Sequence, residues 1–142
     1  MRNNFLHLFW ISIFLFSCDS SEIPQEITME KLTESTQSWN GDTLPSYPSG
    51  QPKVTIIKVT IPPQAQLKLH EHLVINAGVL IKGELTVIDE WGNKLELKAG
   101  DPIIELVNTF HYGINEGSET AEIIVFYAGD VDTPITKIKE EK

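Results

Sequence analysis

From residue 54 to residue 127 the chain is a succession of short apolar runs cut at close intervals by glycine and proline. Residues 54–61 are β-branched at nearly every position, alternate Val54, Ile56 and Lys58 with Thr55, Ile57, Val59 and Ile61, and stop at Pro62-Pro63. That composition and period predict a strand. Leu67, Leu69 and Glu71 then alternate with Lys68, His70 and His72. Strand side chains repeat every second residue, so His70 and His72 point to one side. Further short strands are expected at 79–81, 84–88, 94–97, 103–107 and 123–127. Gly83, Trp91-Gly92-Asn93, Gly100-Asp101-Pro102 and Asn115-Glu116-Gly117 supply the turns between them. No helical period interrupts this series, and the fold class it predicts is all-β, a sandwich or jelly roll.

The flanks read differently. Residues 23–51 are rich in Ser, Thr, Pro and Glu, with one ambiguous apolar stretch at 27–32 that fits a short strand or a helical turn. Trp39 and Tyr47 sit in turn-forming sequence; the plain expectation is that they pack an N-terminal arm onto the β domain, the sharper one that they rim a pocket. Residues 137–142 are expected to trail into solvent as a charged tail. The resulting division is 1–17 leader, 18–51 tether and arm, 52–133 β domain and 134–142 charged tail.

At 142 residues one domain is expected, and the formal charge of -9 (-10 without Arg2), with scattered lysines, argues against a nucleic-acid surface. The basic start at Arg2 and the apolar run from Phe5 to Phe16 suit a signal peptide, since a membrane-spanning helix needs about 20 residues. Leu15-Phe16-Ser17-Cys18 resembles a bacterial lipobox, in which the cysteine is lipidated and becomes the mature N-terminus. The alternative is a free thiol in an ordinary signal or anchor helix. The lipobox reading places the protein in the bacterial cell envelope, tethered to a membrane through Cys18, with outer membrane, periplasmic face and cell surface left open.

Three histidines remain once the leader is set aside, at His70, His72 and His111. Starting at position 64 the chain reads Gln64-x5-His70-x-His72-x3-Asn76-x6-Gly83, and later Gly100-x5-Leu106-x-Asn108-x2-His111-x3-Asn115. This resembles the two-part signature of the cupin superfamily, Gly-x5-His-x-His-x3-4-Glu-x6-Gly followed by Gly-x5-Pro-x-Gly-x2-His-x3-Asn. The histidines, Gly83, Gly100 and Asn115 fall in register; Gln64, Asn76, Leu106 and Asn108 depart. Asn108 tolerates the positive φ of the glycine it replaces, while Gln64 has no such tolerance. The resemblance implies a double-stranded β-helix over roughly residues 52–131.

It also implies a metal site of His70, His72 and His111 holding a divalent transition metal ion, with Zn, Fe, Mn or Ni all suited to imidazole. The alternative is a metal-free, hydrogen-bonded polar lining. In many cupins a glutamate completes the set; Asn76 stands there, either as a weak oxygen ligand or as a residue that only orients water or backbone. Three neutral ligands leave the ion its full charge, and three-His zinc brings bound water to a pKa of about 7. Glu105, alone in the apolar run 103–107, is expected either to face inward and replace the missing acid as base or distant ligand, or to lie on an outward edge. Asn115 is expected to secure a turn.

The function that follows is a metal-binding lipoprotein that binds or acts on a small molecule such as a phenol, keto acid or sugar derivative. As an enzyme it would be an oxygenase, isomerase or hydrolase; as a binding module it would sequester or sense its ligand. A homodimer through sheet edges or exchanged strands is compatible with the pattern but not required by it.

Overall fold

The computed structural model describes residues 26–140; the leader, Cys18 and the lipid anchor expected there lie outside the described residues. Nine strands are β1 (Pro52–Ile61), β2 (His70–His72), β3 (Ile75–Lys82), β4 (Glu84–Asp89), β5 (Lys94–Lys98), β6 (Pro102–Ile104), β7 (His111–Ile114), β8 (Ala121–Asp130) and β9 (Thr136–Ile138). No helix forms among the described residues. One sheet has the order β1-β8-β3-β6 and the other β5-β4-β7-β2-β9, with antiparallel neighbours throughout. This is the all-β jelly roll that the alternation and turn spacing predict, arranged as the double-stranded β-helix that the resemblance implies.

The two sheets face one another across a core of alternating inward side chains. On β8 these are Ala121, Ile123, Val125 and Tyr127; β3 adds Leu80, and β4 adds Leu85 and Val87 from the opposite sheet. Gly83 links β3 to β4 at φ +73°, where a Cβ would stand 2.8 Å from the Thr120 carbonyl, so glycine is needed on two counts. Asn108 adopts φ 58°, as its tolerance of that region suggests. Gln64 also adopts positive φ, 62°, which its residue type does not foretell. Its Nε2 donates to the carbonyls of Glu116 and Gly117, and these tertiary bonds hold the unfavourable backbone in place.

Four expectations need correction. The run 103–107 is strand only at Pro102–Ile104, because the chain then bends toward the left-handed turn at Asn108. The region expected to trail away as tail instead contributes β9, which pairs with β2 in the register His70 with Ile138 and His72 with Thr136. A three-residue strand with one lysine carries too little periodicity to be seen locally, and it is the pairing that makes it. Residues 27–32 form neither strand nor helix. Within the unit spanning 31–140, Trp39 packs against the core and its backbone N–H donates to the Ile104 carbonyl, whereas Tyr47 is 74% exposed, neither packing the arm onto the β domain nor lining the histidine cavity.

Candidate metal centre

The site follows from strand period and register. His70 and His72 lie two residues apart on β2, both buried, with Glu71 between them turned toward Lys137. His111 opens β7 and sits directly opposite His70 in the antiparallel pair. Two positions on one strand and one on its neighbour therefore project from the same face. Ring centroids are 4.6 Å apart for His70 and His111, and 5.0 Å for each of the other two pairs. One nitrogen of each ring lies within 4.8 Å of the others, a set able to hold a single metal ion.

Backbone carbonyls decide which nitrogen that is. His70 Nδ1 is 2.7 Å from the Lys68 carbonyl and His111 Nδ1 is 2.9 Å from that of Thr109. His72 Nδ1 lies 3.2 Å from the Ile135 carbonyl and 3.1 Å from Thr136 Oγ1. A carbonyl only accepts, so each Nδ1 must carry the proton and each Nε2 keeps its lone pair. Burial also holds all three rings neutral. It pushes the pKa of His72 down to about 3, helped by repulsion from His111 and His70, and that of His111 down to about 4; His70 is lowered as well. Neutral imidazole with Nδ1 tied back is the form in which histidine ligates metals, so the residues present fit the ion the fold implies.

Glu105 is 7% exposed and its Oε2 stands 3.6 Å from His111 Nε2. With His111 neutral this is no ion pair. Burial drives the carboxyl up to about 7, opposed by the Leu106 N–H. Glu105 Oε2, His111 Nε2 and Asn76 Oδ1 are three of the four buried side-chain atoms without a hydrogen-bond partner among the described residues, the fourth being Trp39 Nε1. Asn76 is buried on β3, its Nδ2 donating to the Val74 carbonyl. Asn115 donates to the carbonyls of Ile61 and Glu119 and accepts from the Gly117 N–H, closing the turn after β7.

The histidines and Glu105 line a cavity of about 60 Å³ whose remaining walls are mainly apolar, and Asn76 is not among its lining residues. A larger hollow of about 230 Å³ lies beside β4 and β5 at the Glu116-Gly117 turn, but no histidine lines it. Two contributors were not evident from sequence. Tyr127, at the inward parity of β8, packs its ring 5.3 Å from that of His72. Thr136 orients His72 from 64 residues away. Inward parity with Ile123 and Val125 was the available signal for Tyr127; nothing local marks Thr136.

A search of curated protein sequences finds no significant match. Among solved structures, an uncharacterised protein with a double-stranded β-helix domain from Klebsiella pneumoniae aligns with a TM-score of 0.54 at 19% identity, over 82% of this chain and all of its own. An oxalate oxidase in complex with the substrate analogue glycolate aligns with a TM-score of 0.51 at 20% identity, over 60% of this chain. A structure from work on the DMSP lyases RdDddP and RnDddQII gives 0.54 at 15%, over 61%. This chain spans 45% and 44% of those two proteins' lengths, and at such identities the likeness is one of fold. The profile of the Cupin domain family matches residues 57–127, half of the chain and the whole of the histidine-bearing region, and the protein belongs to that family.

Proposed function

We propose that this cupin holds a divalent transition metal ion, one of Zn, Fe, Mn or Ni, on His70, His72 and His111, and uses it to bind or transform a small oxygen-bearing molecule. The observation that carries the reading is the common anchoring of the three rings through Nδ1. All three Nδ1 atoms are tied to the backbone, which leaves three Nε2 lone pairs on the inner side of the same sheet. When bound, the ion supplies Lewis acidity to a ligand oxygen. Purified without chelator or His-tag, wild-type protein should carry close to one equivalent of metal by elemental analysis, and His70→Ala only a small fraction of that. Equal metal in both would count decisively against the site.

Cavity size narrows the ligand. At about 60 Å³ it lies far below the roughly 300–1,000 Å³ of pockets that enclose drug-sized molecules. Such a space does not enclose a sugar or substituted phenol. The geometry favours a molecule of few non-hydrogen atoms with an oxygen at the histidine end and a short apolar body against residues such as Val59, Leu85 and Val125. Turnover and simple retention use this arrangement equally; oxygen-uptake and hydrolysis screens on metal-loaded protein separate them.

The proposed setting is the bacterial envelope, with Cys18 lipidated. Support comes from sequence alone, in the apolar run from Phe5 to Phe16 and the motif ending at Cys18. Fatty-acid labelling and membrane fractionation test it: Cys18→Ser should abolish labelling and release the protein from membranes. Wild-type protein that takes up no label would remove the anchor from the reading.

A further inference from the structure

We propose that Glu105 supplies the fourth protein donor to the ion held by His70, His72 and His111, bringing the carboxylate from the segment after β6. The inference rests on the three-histidine reading and adds a ligand to it.

Two separate segments fix the backbone at Glu105. Its N–H donates to the Asn76 carbonyl at 3.1 Å, and its carbonyl accepts from Ser38 Oγ at 2.8 Å. The side chain is thereby committed inward, where it is only 9% exposed. The neighbouring Leu106 N–H favours the ionised carboxyl, and Oε2 has no hydrogen-bond partner. That oxygen faces His111 Nε2 at 3.6 Å. Because His111 donates through Nδ1 to Thr109, Nε2 presents a lone pair, and once the Glu105 carboxyl is ionised two lone-pair atoms face each other in a buried setting. The separation exceeds the roughly 2.7–3.2 Å of a hydrogen bond. It is close to the about 3.0–3.4 Å expected between two donors that each sit about 2.1 Å from one ion at 90–110°.

A cation between the two atoms turns an unfavourable contact into a favourable one, and a shift of a few tenths of an ångström completes the geometry. Asn76 offers no anion, and its side chain is not among the groups lining the cavity. Glu105 is therefore the one carboxylate among the cavity's lining residues. A set of three imidazoles and one carboxylate also leaves the ion less charged than three imidazoles alone.

Cobalt(II) titration of the full chain, followed by visible absorption, tests the assignment. Glu105→Gln preserves size and an acceptor for Leu106 while removing the charge. It should weaken cobalt binding about 100-fold or more and change the position and intensity of the visible bands, with circular dichroism unchanged. Affinity within threefold of wild type overturns the proposal, as does weaker binding with an unaltered spectrum, which would make Glu105 a positioning residue. Should the variant misfold, wild-type protein carrying ¹³C-carboxylate glutamate provides the readout. One labelled carboxylate should shift in the infrared difference spectrum on adding cobalt, and no shift overturns the proposal. Wild type that takes up no cobalt, or His70→Ala that binds it equally well, fails the three-histidine reading itself and the inference with it. Glu105→Gln behaving as wild type while His70→Ala loses cobalt fails this inference alone.

Discussion

Glu105 and the histidines pull the metal-free protein's stability in opposite directions as pH changes. Burial raises the Glu105 carboxyl from an ordinary 4.5 to about 7. Between those values the folded protein holds a proton that the unfolded chain has released, so stability falls as pH rises through the window, and above about pH 7 the cost is about 3 kcal/mol. His72 and His111, at about 3 and about 4 against an ordinary 6.5, behave in the reverse sense. Below pH 6.5 the unfolded chain takes up protons that the folded one refuses, and each ring removes about 1 kcal/mol per pH unit on the way down to its folded value. Urea unfolding of chelator-treated protein separates the two. Glu105→Gln should be more stable than wild type at pH 8 by roughly 2–3 kcal/mol, and that gain should shrink by about 2 kcal/mol at pH 5. A gain that does not change with pH would assign the effect to packing instead of charge.

At the scale of elements, β2 is the pivot, with β7 on one side of it and β9 on the other. The β7 side delivers His111, while the β9 side delivers orientation, because the Ile135 carbonyl and Thr136 Oγ1 hold His72 Nδ1. Ending the chain after Thr133 would strip His72 of both partners while leaving the β1-β8-β3-β6 sheet complete. Partners of this kind typically govern metal affinity by 10–100-fold. The truncated protein should therefore fold, as read by circular dichroism, and bind zinc or cobalt about 10–100-fold more weakly than wild type. Unchanged affinity would show that His72 needs no anchor. The contrast between these two neighbours also marks what a sequence displays. His70 and His72 announce a common face because strand period acts over two residues, and His111 stands out through its spacing from Gly100 and Asn115. Thr136, Tyr127 and the positive φ of Gln64 depend on bonds and packing made across the folded chain. For Tyr127 local parity gives only its inward side and not its place beside His72, and for Thr136 and Gln64 no local pattern gives anything, just as none showed that Glu105 lies beside His111.

Across the whole molecule, the centre places neutral rings and a carboxyl where a continuous apolar core would otherwise close, between Val87 of one sheet and Val125 of the other. Polar atoms left without partners in a core cost stability, and here Glu105 Oε2 and His111 Nε2 are both buried in that state. An ion that satisfies them acts on the global equilibrium, since it binds the folded chain and finds no preformed site in the unfolded one. At 100 times the dissociation constant the linkage is about 2.7 kcal/mol. For a folded unit of this size that corresponds to a rise in melting temperature of about 5–15 °C. Thermal unfolding of chelator-stripped protein, with and without saturating zinc or cobalt, should show this rise in wild type and lose most of it in His70→Ala. The same ion added to a protein whose histidines merely line the core would leave the melting temperature in place or lower it by capturing the unfolded chain. The sign of the shift therefore distinguishes a built metal centre from a polar lining before any substrate is known.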